Sequence, residues 1–422
     1  MSDSMLIPDS LLKEIRAKFM FVESCPRQGD RVFLDSASGS LRLRSVADVV
    51  AKEAGVPDQI NRITRGSKHV MDTIERGKQA VKLFLGGDDS GVVMSALTAT
   101  SAMFRAVRNA VAHYPGDNLV TTVLEHPSVY DSVSWSAGQY GKEVRVAPVD
   151  QETGAVSPDA ILDLIDRNTS VLAFMHASNI SGAYLDAEKI IGGARRINRE
   201  ICVIMDGVQY VPYAPVDVAD LNPDVYVIAP YKCYTNKGLS FAYLSERFAR
   251  IPHDKILNKP VDHWGLGSAD HMGYAAWSAT VDYLVWLGSQ VSDPSASDRS
   301  KLVAAMTLAK NHAVGLLQIL LHGRGDTPGL NDMEHIKTYG LGKETERSCV
   351  ALFNIEGLRA SRAVEMLLEK GIMIQTRKLG MSERILESLG VEDGEALRLS
   401  ASHYTTPEEI ERFLSIVAEM GT

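Results

Sequence analysis

Cysteine is scarce in this chain. The four that occur, Cys25, Cys202, Cys233 and Cys349, stand far apart and form no CxxC pair, which argues against zinc spacing and a disulfide framework and leaves buried or idle thiols as the reading. No run of five like charges occurs, and the formal net charge of -9 offers neither a basic track for a nucleic acid nor an acidic tail. The opening "MSDSMLIPDSLLKEIRAKFMF" mixes acids and bases into its apolar pattern and lacks the basic and apolar regions of a signal peptide. No later apolar run reaches membrane-spanning length. The default expectation is a cytoplasmic protein with no nucleic-acid or membrane partner and no metal. A GxGxxG turn after an early strand is also missing, which disfavours a dinucleotide-binding Rossmann protein.

What is present is enough for a large core: 422 residues, 45% of them hydrophobic, suit one large domain and a smaller one. Between about Val92 and Leu244, apolar β-branched runs ("NLVTTV", "VLAFMH", "CVIMDG", "VYVIAP") alternate with helical segments ("SAMFRAVRNAVAHY", "PDAILDLIDRN", "DAEKIIGGARRIN"), the pattern of an α/β fold with a largely parallel sheet. A long helical stretch is expected from about Tyr274 to His322, ended by the linker "HGRGDTPGLND". Beyond it, "CVALFNI", "RASRAVEMLLEKG", "IMIQT", "EALRLSAS" and "TPEEIERFLSIVAEM" read as a small α+β unit. Its last helix is signalled by Thr406 as cap, Pro407 at the first position, and Glu408 and Glu409 in the first turn.

Ligands of open α/β sheets bind beyond the carboxyl ends of the strands. The residues that close these runs are Glu125 and His126, then "HASNISG" with Asn179, then Asp206 and Gln209, then Lys232 in "APYKCYTNKG". Each alone has an ordinary reading as a turn or solvated residue. Together they are the set needed by a coenzyme with an aldehyde, a pyridine ring and a phosphate: an amine, a carboxylate for the ring nitrogen, a flat side chain to stack, and amide donors.

The stretch "VIMDGVQYVPYAPVDVADLNPDVYVIAPYKCYTNKG" resembles the core of the class V aminotransferase family of pyridoxal-phosphate enzymes, and the likeness runs from "RVFLDSASGS" to "LRLSASHYTTPEEIERF". The resemblance implies fold type I, with a mostly parallel seven-stranded sheet between helices. It divides the chain into an N-terminal arm (1–30) packed on the small domain, a large cofactor-binding domain (31–290) and a small C-terminal α+β domain (291–422) with the long helix as connector. Pyridoxal 5'-phosphate is the implied cofactor. Lys232 would form the Schiff base and shuttle a proton, Asp206 would pair with the pyridine nitrogen, and His126 would stack on the ring. Gln209 and Asn179 would lie near the phenolic oxygen. Ala99, Thr100 and Ser101, where "SALTATSAMFRAV" opens a helix, would cradle the phosphate, with Tyr231 adding a hydroxyl. Ser268 would reach the phosphate of the neighbouring subunit in a homodimer with its active site at the interface. Arg398 would take the substrate carboxylate, with Arg65 and Ser38 as further substrate contacts. Lys237 reads as a solvated loop lysine, and His263 and Trp264 as pocket lining or packing.

The likeness fails at two places. Desulfurases of the family carry a loop cysteine that accepts sulfur, and "IMIQTRKLGMSERI" has none. The family's serine and histidine ahead of the lysine are replaced by Ala229 and Tyr231, a version nearer that of the kynureninases. The expected activity is therefore transamination or β-elimination of a carbon–sulfur bond in an amino-acid substrate, without persulfide formation. Epimerisation of the isopenicillin N type and a catalytically silent binding module are the alternatives.

Overall fold

The computed structural model describes residues 5–56, 60–268, 270–378, 380 and 382–420. Seven strands build the main sheet: β1 (Val92–Ala96), β2 (Asn118–Thr122), β3 (Glu143–Ala147), β4 (Thr169–Met175), β5 (Cys202–Asp206), β6 (Val225–Ile228) and β7 (Ser240–Leu244). Their spatial order is β1-β7-β6-β5-β4-β2-β3. All neighbours are parallel except β7, which runs antiparallel to both β1 and β6.

The continuous apolar runs are explained by burial on both faces. Val171, Ala173, Ile204 and Val227 point to one side, beneath the helices Ala99–His113 and Pro127–Tyr140. Leu172, Phe174, Val203, Met205 and Ile228 point to the other, against the helices Arg65–Leu85, Ala187–Ile197 and His271–Ser289. Burying one such aliphatic or aromatic side chain is worth about 1.5–3 kcal/mol.

A second sheet is fully antiparallel: β8 (Ile336–Tyr339), β9 (Val350–Ile355), β10 (Gln375–Lys378) and β11 (Glu395–Ser400), in the order β8-β9-β11-β10. Its own core includes Phe353, Leu397 and Leu399, with Leu367 from the helix Ala360–Glu369 and Phe413 from Pro407–Glu419. That last helix has the expected cap, a reciprocal pair between Thr406 and Glu409 with Pro407 in the first turn. The N-terminal helix Asp9–Lys18 is tied to it through Arg16, which donates to Glu409 (3.0 Å) and to the Tyr404 carbonyl (2.8 Å).

The single long helix expected from Tyr274 to His322 is instead two, His271–Ser289 and Asp298–His322. Pro294 stops propagation, and Ser297 caps the second helix by accepting from the Ser300 N–H. Gly288 lets the two approach, since a Cβ there would lie 1.8 Å from the Lys301 carbonyl oxygen. The helix Asp298–His322 is also long and apolar enough to cross a bilayer by length and composition, contrary to the sequence expectation, but 61% of its apolar window is buried inside the protein. It is a core helix of the kind that passes the same test.

Candidate functional site

The parallel strands β2, β4, β5 and β6 and the edge strand β1 all end at one side of the main sheet. The antiparallel β7 begins there, with Ser240 opposite Ala96 and Phe241 opposite Ile228. The turns at this edge enclose a cavity of about 270 Å³, lined by Thr98, Ala99, Thr100, His126, Asn179, Asp206, Gln209, Tyr231, Lys232 and Lys237 among others.

Lys232 ends a tight turn, Pro230–Lys232, that follows β6. The Cys233 N–H closes it onto the Pro230 carbonyl (2.7 Å). The side chain is buried, and its amine donates to Gln209 Oε1 at 3.0 Å. Burial pushes the ammonium down to about 8; nearby Arg398 and Arg377 push the same way, and Asp206 opposes them. Asp206, the last residue of β5, is buried too and accepts from the Val208 N–H at 2.9 Å. Burial raises its carboxyl, against the pull of that N–H and of Lys232.

His126 caps the helix Pro127–Tyr140, its Nδ1 accepting from the Ser128 N–H at 3.1 Å. A neutral ring with Nδ1 as acceptor carries its proton on Nε2. Burial, with repulsion from Lys232, Arg377 and Arg384, holds the imidazole down to about 4, so it is uncharged at neutral pH. Asn179 Oδ1 and Gln209 Nε2 are buried without a partner among the described residues, and both residues line the cavity. Buried polar groups are normally paired, so these two are positioned for something the chain itself does not provide.

At the far end, the helix Ala99–His113 is capped by Thr98. Expectation placed its opening at Thr100 and Ser101. In fact Ser101 bonds back to Thr98, its N–H donating to Thr98 Oγ1 and its Oγ accepting from the Thr98 N–H. Ser101 is absent from the cavity wall for that reason, whereas Ala99 and Thr100 line it. First-turn N–H groups have no intrahelical acceptor.

Arg398 on β11 is fully buried, but its charge is spoken for. It pairs with Asp35 at 2.9 Å and donates to the Asn179 carbonyl (2.9 Å) and to Ser38 Oγ (2.6 Å). Ser38 also accepts from Arg377 of β10 at 3.2 Å. Among the described residues Arg377 has no ion pair, and burial holds its guanidinium down to about 10. In the sequence this arginine is one base of the stretch "TRKLGMSERI" and is not singled out. Lys237, read there as a solvated loop lysine, is exposed yet lines the cavity, its Nζ 5.3 Å from the centre of the Tyr231 ring.

Arg65, Ser268, His263 and Trp264 stand outside this chain's own cavity wall; Ser268, expected at the neighbouring subunit's phosphate, has no expected place on it. Arg65 opens the helix Arg65–Leu85 and is exposed, away from the cavity wall. Ser268 is exposed and outside the wall, and Ala269, its neighbour in the same segment, lies outside the described residues. Trp264 is packed, stacking on His253 at 3.9 Å and donating from its indole to the Ala249 carbonyl, and His263 does not reach the cavity. In the loop "TRKLGMSERI", Leu379 and Met381 lie outside the described residues.

Comparison with known proteins gives three findings. The model of the aminotransferase class-V family matches residues 32–261. A probable cysteine desulfurase of Mycobacterium leprae is 25% identical over 97% of this chain and 66% of its own length, and a cysteine desulfurase of Pectobacterium atrosepticum is 26% identical over 96% of each. Among solved structures, the cysteine desulfurase CsdA of Escherichia coli superimposes with a TM-score of 0.78, at 19% identity, covering 97% of this chain and 98% of that one.

Proposed function

This chain belongs to the aminotransferase class-V family, and from that premise we propose that it acts at the amino-bearing carbon of an amino acid, by transamination or by β-elimination across a carbon–sulfur bond, without forming a persulfide. The family's enzymes use pyridoxal 5'-phosphate. The cavity fits that group: a buried amine and a buried carboxylate line it with an uncharged imidazole, the unpartnered Asn179 Oδ1 and Gln209 Nε2, and an N-terminal helix turn. Lys232 would hold the group covalently, Asp206 its ring nitrogen, His126 its face, Asn179 and Gln209 its phenolic oxygen, and Ala99 with Thr100 its phosphate. When bound, it supplies an aldehyde for attachment and a ring that withdraws electrons from the amino-bearing carbon.

The observation that carries the reading is the state of Lys232. Its amine is buried in the cavity wall against Gln209 Oε1, and burial pushes it down to about 8, which favours the uncharged form that attacks a carbonyl. With an amino acid in the cavity, the same amine would be the base for the proton of the amino-bearing carbon. Asp206 would hold the proton of the ring nitrogen. His126, being neutral, adds no like charge beside that amine. Arg377, with no ion pair among the described residues, would offer a planar donor for the carboxylate, beside Arg398, which Asp35 and Ser38 hold in place.

Persulfide transfer needs a thiol within reach of the substrate. Cys202, Cys233 and Cys349 are buried, Cys25 lies on the short strand Ser24–Cys25, and none is in the cavity wall. A homodimer is part of the reading. It is supported by the exposed Ile63, Leu97, Leu257 and Leu266, apolar side chains of a kind that a second copy covers, with Ser268 in the same loop as Leu266.

The test is the absorption spectrum of the purified protein, then borohydride reduction, peptide mapping and a panel of amino acids that includes cysteine conjugates. A band near ~420 nm that vanishes on reduction and leaves the label on Lys232 is expected. The product then distinguishes a keto acid from pyruvate with a thiol. Sulfur found on a cysteine of the protein would overturn the proposed branch; no band, even with cofactor added, would overturn the whole reading.

A further inference from the structure

A phosphate bound at the start of the helix Ala99–His113 would bring about two negative charges into the cavity, and the helix terminus offers only about half a positive charge. Of the hydroxyls there, those of Thr98, Ser101 and Ser240 are already engaged, and those of Thr100 and Tyr231 are neutral donors that balance no charge. Thr98 and Ser101 bond to each other, and Ser240 donates to the Ala96 carbonyl at 3.0 Å. Of the cations, Lys232 and Lys237 alone line the cavity among the described residues. Lys232 is committed to Gln209 and to covalent attachment. The register of the sheet sets the position of the other: Ser240 lies opposite Ala96, so the residues just before β7 stand beside the turn Leu97–Thr100. Gly238, at φ +114°, supplies the backbone bend that brings Lys237 there. The lysine has no carboxylate within 4 Å among the described residues, and its Nζ faces the ring of Tyr231.

We propose that Lys237 is the counter-cation of the cofactor phosphate in this chain, reaching from an exposed loop to complete a cradle whose other donors at that end are neutral. Resting as it does on the cofactor reading above, the assignment says more than that reading: the phosphate end depends on one exposed charge, and the ring end does not. Affinity for the phosphorylated cofactor should therefore be salt-sensitive and separable from affinity for the ring.

Apo-protein carrying Lys237→Ala or Lys237→Arg is titrated with pyridoxal 5'-phosphate and, separately, with pyridoxal, following the ring absorption. The Ala variant should bind the phosphorylated form on the order of ten- to a hundredfold more weakly, with pyridoxal unchanged and the Arg variant close to wild type. Equal affinity of the Ala variant and the wild type for the phosphorylated form would overturn the assignment and leave the cofactor reading standing. So would a parallel loss of both ligands. A wild-type chain that bound neither ligand would overturn both.

Discussion

Two buried polar clusters meet where Tyr234 follows Lys232 by two residues, and they are built on opposite principles. Around His403 every ring nitrogen is used. Tyr234 gives its hydroxyl proton to the Pro212 carbonyl (3.1 Å), so it accepts from His403 Nδ1 (3.0 Å), and Nε2 then accepts from the Tyr283 hydroxyl (2.7 Å). Around Lys232 the opposite holds: Asn179 Oδ1, Gln209 Nε2 and Glu125 Oε2 are buried and unpaired. The closed cluster is a fastening and the open one a receptacle. They are joined at Tyr234, two residues beyond Lys232, whose backbone is held at φ 73° by the Ser40 hydroxyl on its N–H (2.8 Å) and by its own buried ring. Such a conformation costs on the order of 1–3 kcal/mol, so the fastening keeps the lysine turn in place.

The comparison breaks most sharply at Lys232. Lys232→Ala should abolish covalent cofactor attachment and lower turnover by at least about 10⁴-fold, while the Tm of the cofactor-free protein does not fall. The sign follows from burial: the ammonium is held down to about 8, so at pH 7 its charge disfavours the folded state. Differential scanning calorimetry beside the absorption spectrum checks both halves. A drop of several degrees in Tm would make Lys232 part of the fastening instead.

His403→Ala should do the converse. It strands the buried Tyr283 hydroxyl, takes a donor from that of Tyr234 and leaves a cavity, so a loss of about 3 kcal/mol is expected in chemical denaturation, with the cofactor band retained. Unchanged stability would mean that the cluster fastens nothing.

The same contrast separates the two arginines. Arg398→Ala leaves Asp35 buried and unpaired and should reduce stability as well as substrate binding. Arg377→Ala removes a charge that has no ion pair among the described residues, and should raise KM for the amino acid by roughly tenfold with Tm unchanged. Equal effects of the two on Tm would deny the distinction.

The difference between the clusters also explains what the sequence disclosed. The strand ends carrying His126, Asn179, Asp206, Gln209 and Lys232 were legible because parallel strands bring consecutive loops to one edge, so order along the chain becomes neighbourhood in space. The capping of the last helix by Thr406 and Glu409 was legible because it is local. Ser101 was misplaced since Thr98 and Ser101 are both cap-forming residues and the choice of cap depends on where β1 ends. Arg377 and Lys237 were missed because their environment comes from other segments: the shared Ser38 hydroxyl in one case, the pairing of β7 with β1 in the other. The closed cluster was invisible for the same reason, since Tyr234, Tyr283 and His403 carry no spacing that links them.

Glu125 offers the finest test, because it belongs to the open cluster yet touches no expected ligand. Its Oε1 accepts from the Thr122 hydroxyl (2.7 Å) and the Met175 N–H (3.1 Å), while Oε2 has no partner. Burial pushes the carboxyl from an ordinary 4.5 up to about 8. Between those values the folded chain keeps a proton that the unfolded chain has released, so stability falls as pH rises from 4.5 through 8. Glutamine preserves the acceptor and cannot ionise, but its amide hydrogens lack an acceptor, which costs about 1–3 kcal/mol. Glu125→Gln should therefore be slightly less stable than wild type at pH 5 and more stable, by about 1–2 kcal/mol, at pH 8. Urea denaturation at the two pH values measures the crossing. Curves that stay parallel would mean that Glu125 is ionised in the folded protein and that its second oxygen is paired after all.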